Sequence, residues 1–187
     1  MNSKLNINDD GWLDGVEIIR SPNFEVRPLA DDIRLLVVHA ISLPPGQYGG
    51  GYIQQFFSNQ LDPDAHDYFT EIRGLKVSAH CLIQRDGHLI QFVSFRDRAW
   101  HAGVSCWNGE HNCNDFSIGI ELEGCDDDAF DVRQYQQLSA LVIALRKQYP
   151  AISEQSICGH SDIAPGRKTD PGPCFDWSRL AQLTNNS

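Results

Sequence analysis

The stretch "RLLVVHAISLPPG", residues 34–46, constrains the fold of this chain more than any other segment. Its apolar run Leu35–Val38 is short, β-branched at its end and closed by Pro44-Pro45-Gly46, so it suits a buried strand better than a helix. Two further segments have strand patterns. "VSAHCLIQRDGHLIQFVSF" reads as two strands joined at Asp86-Gly87, the strongest hairpin signal in the chain. In "FSIGIELEG" the alternation puts Ile118, Ile120 and Leu122 on one face and Ser117, Gly119, Glu121 and Glu123 on the other.

Helical periodicity fills the intervals. "GYIQQFFSNQ" can place Ile53, Phe56 and Phe57 on one face. The best helix starts at Asp131, with Gln134 in the capping-box position, and carries Tyr135, Leu138, Leu141, Val142 and Leu145 as one stripe. Arg146 and Lys147 suit its C-terminal end, and Pro150 stops it. A short strand, "SICGH", then leads to His160, and "FDWSRLAQL" is a closing helix. Hairpin, strands and intervening helices imply an α/β (mixed α+β) chain with a central mixed sheet and helices packed on its faces. At 187 residues there is room for one domain of ordinary size, and a second would be cramped.

Charge and composition exclude several functions. With 41% hydrophobic and 21% charged residues the chain is globular rather than disordered. A formal net charge of -10 argues against broad binding to nucleic acid or to an anionic membrane surface, since both need a positive field. No segment has the length and apolarity of a signal peptide or of a membrane span, which predicts a cytoplasmic protein. In that compartment the six cysteines read as reduced thiols, and no CxxC pair supports a zinc knuckle.

Chemistry concentrates in "CGHSDIAPGRKTDPGPCFDW", residues 158–177, where ionisable side chains stand among prolines and glycines that give a loop a defined shape. His39 and His160 each lie at the C-terminal end of an apolar strand, where neighbouring strands bring side chains together, and Asp170 follows His160 by ten residues in a loop stiff enough to fold back. Two histidines and a carboxylate with an open fourth position form a catalytic zinc pattern. Spacing alone leaves other sets open: Cys158, Asp162, His66, His80 and His101 are further ligand candidates, and His39 alone could be a satisfied core histidine.

"VVHAISLPPG", "SAHCLIQRDGHLIQFV", "RAWHAGVS", "NDFSIGIELEG" and "GHSDIAPGRKTDPGPCFDW" stand in the order seen in zinc-dependent N-acetylmuramoyl-L-alanine amidases. The chain resembles that family, which includes phage amidases and is related to peptidoglycan recognition proteins, from about Trp12 to Leu180. The resemblance implies one zinc per chain on His39, His160 and Asp170, and catalytic roles for Glu121 and Lys168. Several relatives carry Cys at the place of Asp170, whereas members that recycle 1,6-anhydro-muropeptides carry Asp. The implied reaction is hydrolysis of the amide between N-acetylmuramic acid and L-alanine in a small-molecule muropeptide. A lytic amidase acting on intact peptidoglycan and a non-catalytic peptidoglycan-binding module are the rivals. A ligand rich in carboxylates needs local cations on so acidic a chain, and Lys76, Arg98 and Arg167 flank the motifs, while Trp100 and His101 offer an aromatic face and a hydrogen-bonding ring. Ala40 stands where Asn commonly follows the first ligand, and Lys76 where Arg is common.

Overall fold

The computed structural model describes residues 4–185. In chain order the elements are β1 (Glu17–Ile18), β2 (Phe24–Val26), β3 (Leu35–Ile41), α1 (Tyr52–Phe57), α2 (Asp67–Glu71), β4 (Cys81–Ile83), β5 (Leu89–Gln91), β6 (Asp97–Ala99), β7 (Cys106–Trp107) and β8 (Glu110–His111). They continue with β9 (Ser117–Glu123), α3 (Val132–Gln148), β10 (Ile157–Gly159), α4 (His160–Ile163) and α5 (Trp177–Asn185). A mixed six-stranded sheet runs β1-β5-β4-β9-β3-β10, with β10, β3, β9 and β4 parallel and β5 antiparallel to β4. Two-stranded ribbons β2-β6 and β7-β8 flank it.

Period-two alternation in β3 and β9 divides the interior into layers. Leu36, Val38, Ile118, Ile120 and Leu122 point to the core shared with α3 and α5, where Leu138, Leu141 and Leu145 are fully buried. Leu35 and Val37 point to the opposite side, beside Phe116, Cys158 and Ile163. On that side α1 and α2 cover the far end of the sheet through Ile53, Phe57 and Phe69. The central strand is thus buried on both faces, as its unbroken apolar run requires. His39 continues the Leu35 and Val37 face, so the site opens on the side of α1 and α4, at the C-terminal ends of the parallel strands.

Local signals account for the boundaries. Asp131 caps α3 through Arg133 N, and Gln134 Oε1 accepts from Asp131 N at 3.0 Å, completing the capping box. The helix ends at Gln148, two residues before Pro150. The hairpin closes as expected, with Gly87 at φ +84°, a conformation that favours glycine. On the polar face of β9, Glu123 accepts from Gly49 N and Arg85 N and Ser117 Oγ meets His101 Nε2, and both side chains are buried. One feature differs from the sequence reading. The loop after β10 begins as one helical turn, α4, since Asp162 Oδ2 accepts from Gly159 N at 2.7 Å and caps it. Among the described residues no helix is long and apolar enough to cross a membrane.

Candidate metal and active site

Parallel register builds the floor of the site. His39 and Glu121 are directly paired on β3 and β9, and Gly159 pairs with Val38, which sets His160 beside His39. Asp170 arrives from the loop, which folds back through a backbone bond from Ser161 N to Asp170 O of 3.0 Å. The outcome is a tight triangle. His39 Nδ1 lies 3.0 Å from His160 Nδ1, and Asp170 Oδ2 lies 3.2 Å and 3.1 Å from the two. Among the described residues these are the three side chains whose donor atoms all lie within 4.8 Å of one another in a group that could hold a metal ion.

Outward-facing atoms of both rings are also fixed. His39 Nε2 is 3.0 Å from His101 Nδ1, and His160 Nε2 is 3.1 Å from Ala102 O. His101 Nε2 meets Ser117 Oγ at 3.1 Å, and His80 Nδ1 accepts from Gly119 N at 3.0 Å. Burial pushes His39 down to about 4 despite its bond to Asp170, and pushes His80 down to about 3, with the Arg27 guanidinium adding to the effect. His101 is lowered well below its ordinary value, first by burial and then by the surrounding rings. Burial opposes ionisation of Asp170, yet the His160 and His39 rings set against it hold its carboxyl below the usual carboxylate range.

His160 and Asp170 line a cleft of about 720 Å³, together with Ala40, Trp100, His101, Glu121 and Lys168. Glu121 Oε2 and Trp100 Nε1 are buried there without a hydrogen-bond partner. Burial raises Glu121 well above the usual glutamate value, the Asp170 charge adds to the rise, and Lys168 works against it. A carboxyl that holds its proton more firmly than usual, on the cleft wall beside the triangle, is placed to exchange a proton with a reacting group.

The other ligand candidates lie elsewhere. Cys158 is packed beneath the sheet with Leu35 and Val37, Asp162 is the cap of α4, and His66 caps α2 by accepting from Tyr68 N. All six cysteines are free. The expected substrate cations divide. Arg98 is held by Asp115 and Glu25, and Lys76 lines a separate cavity of about 140 Å³ with Arg73. Arg167 reaches the cleft, but its guanidinium donates to Ala102 O at 2.6 Å and Val104 O at 2.7 Å, so it braces the segment behind His160. His101, expected to face a ligand, spends both ring nitrogens on His39 and Ser117. Arg27, which sequence reasoning missed, is buried and donates to four backbone carbonyls behind His80. A lone Arg between Val26 and Pro28 carries no signal for that place.

Fold and site together match the N-acetylmuramoyl-L-alanine amidases: the family model Amidase_2 matches residues 29–173, and the chain belongs to this family. Over 179 residues, 96% of this chain and 95% of the relative, it is 54% identical to the 1,6-anhydro-N-acetylmuramyl-L-alanine amidase AmpD of Citrobacter freundii. A crystal structure of a selenomethionine AmpD derivative, also 54% identical, superposes with a TM-score of 0.92 over 95% of this chain and 98% of that one. More distant is AMPDH3 from Pseudomonas aeruginosa in complex with anhydromuramic pentapeptide, at 30% identity and a TM-score of 0.62 over 83% of this chain and 61% of that one.

Proposed function

We propose that this chain, working as a single domain, is a zinc-dependent amidase that hydrolyses the bond between 1,6-anhydro-N-acetylmuramic acid and L-alanine in soluble muropeptides. The observation that carries the reading is the buried, partnerless Oε2 of Glu121, a residue set in register beside the triangle of His39, His160 and Asp170. The donor set fits zinc. Ligands held at about 2.0–2.1 Å in a tetrahedron are separated by about 3.3 Å, close to the 3.0–3.2 Å edges seen here, and two imidazoles with one carboxylate leave a fourth position open. A structural site would use four protein ligands.

Zinc bound there supplies Lewis acidity, which activates water near neutral pH and polarises a carbonyl. Glu121, raised by burial, takes the proton of the attacking water and returns it to the leaving amine of L-alanine. Lys168, two residues before Asp170 on the cleft wall, brings positive charge to the developing oxyanion. Trp100 offers its ring and a free Nε1 donor to sugar or peptide. The cytoplasm is where wall fragments already cut and imported are met, which fits the 1,6-anhydro activity named for the 54% identical relative.

The test compares release of L-alanyl peptide from an anhydro-muropeptide, its reducing-sugar counterpart and purified sacculi, with elemental analysis alongside. About one zinc per chain and fastest release from the anhydro substrate are expected, and His39→Ala and Asp170→Ala should lose metal and activity together. Equal or faster release from sacculi would replace recycling with lysis, and full metal content in both variants would remove the ligand assignment.

A further inference from the structure

We infer that His101 is a positioning residue: with Ser117 it forms a relay of hydrogen bonds that sets the tautomer of His39 and reverses polarity when zinc binds. The inference rests on the zinc reading above. It starts from a count of donors. A neutral imidazole has one N–H and one bare nitrogen, so fixing the proton on one ring nitrogen frees the other as acceptor. His39, His101 and Ser117 are linked end to end at 3.0 Å and 3.1 Å, and their side chains are buried, at 1%, 9% and 0% exposure.

Only two proton arrangements satisfy such a chain. In one, His39 Nδ1 presents its lone pair to the centre, so Nε2–H donates to His101 Nδ1 and His101 Nε2–H donates to Ser117 Oγ. In the other, His39 Nδ1–H faces Asp170 Oδ2 at 3.2 Å, His101 Nδ1–H donates back to His39, and the Ser117 hydroxyl donates to His101 Nε2. Each residue holds the same number of protons in both arrangements, and both rings stay neutral. Metal binding at His39 Nδ1 demands the first. A hydroxyl is the group that closes either polarity, because it rotates between donating and accepting.

The neighbouring rings lack this freedom. His160 Nε2 faces Ala102 O, which can only accept, and the nearby Arg167 Nη2 at 3.4 Å already donates to Ala102 O and Val104 O, so a neutral His160 keeps its proton on Nε2 and turns Nδ1 bare to the centre. His80 Nδ1 accepts from Gly119 N, so a neutral His80 holds its proton on Nε2, which faces Asp97 O at 3.0 Å and has Arg27 Nη2, itself donating to Ser117 O and Phe95 O, at 3.1 Å. One ligand is preset and the other is set on loading.

Histidine-labelled protein read by long-range proton–nitrogen correlation, chelated and then loaded with one equivalent of zinc, tests this without any substitution. His101 should change from the Nδ1–H to the Nε2–H form, with His80 and His160 remaining Nε2–H. The same His101 form in both states, or Nδ1–H in the loaded protein, overturns the inference. A His39 Nδ1 resonance that ignores zinc overturns the ligand reading instead. As a second measurement, chelator competition should show zinc affinity about 10–100-fold weaker in His101→Phe, with His101→Asn, whose amide oxygen can take the place of Nδ1, recovering most of the loss. Unchanged affinity in a folded His101→Phe protein would also refute a positioning role, and the two spectra decide the matter if that variant does not fold.

Discussion

Substituting Gly119 by Ala puts a methyl group where the structure has no room for one. A Cβ built on Gly119 lies 2.5 Å from His101 Nδ1 and 2.7 Å from Cδ2, so relief to ordinary contact requires about 1 Å of movement. Neither side yields easily. β9 is paired along its whole length with β3 and over three residues with β4, and His101 is bonded at both nitrogens. Overpacking a core costs about 1–3 kcal/mol, a buried bond broken to make way adds about 1–3, and replacing a strand glycine returns about 0.5–1. The net destabilisation is about 1–5.5 kcal/mol, which for a chain of this size lowers Tm by roughly 2–22 °C. Thermal unfolding followed by circular dichroism, with chelator and with zinc, gives the number directly. The zinc-induced rise in Tm should shrink as well, because His39 loses its partner. If Gly119→Ala melts within about 1 °C of the parent, the close approach of strand and ring is wrong.

Three further outcomes follow from the site and the helix beside it. Glu121→Gln should lower turnover about 10²–10⁴-fold. Because Glu121 is raised above its ordinary 4.5, its protonation stabilises the native state fully below that value and this is lost as pH rises through the folded-state value; the metal-free Gln variant should therefore gain Tm over the parent as pH climbs from 4.5 towards the raised folded-state value, and a constant difference would contradict the burial argument. Lys168→Ala should keep its zinc while turnover falls about 10²–10³-fold, and near-normal turnover removes it from the mechanism. Asp131→Ala, which removes the cap of α3, should cost about 1 kcal/mol in urea unfolding with activity unaltered, and an unchanged midpoint would show the cap to be idle.

Much of this was legible in the residues because the signals are local. The apolar run of β3, the Asp86-Gly87 turn and the capping box of α3 each act within a few positions, and each element stands where its pattern puts it. His39, His160 and Asp170 could be nominated because strand ends and a stiff loop limit where such side chains go. Strand order could not be read, since the placement of β9 between β3 and β4 depends on how distant apolar faces fit. Short strands such as β1 and β6 lack the length to show a period. The fate of cations was equally hidden: Arg98 and Arg167 look free in the sequence, and only the fold reveals that Asp115 and the carbonyls of Ala102 and Val104 claim them.

The register that pairs His39 with Glu121 has a consequence for how such a centre can change over time. Their separation is a property of the sheet, fixed at the spacing of adjacent strands of about 4.8 Å, and it cannot drift without unzipping neighbours on both sides. Asp170 and Lys168 instead hang from a loop tied down by a handful of bonds, notably those of Ser161 with Asp170 and of Lys168 with Ala164. The cleft thus has one fixed jaw and one interchangeable jaw. Insertions and substitutions in residues 164–174 can reshape that wall of the cleft, while the distance between His39 and Glu121 is inherited intact.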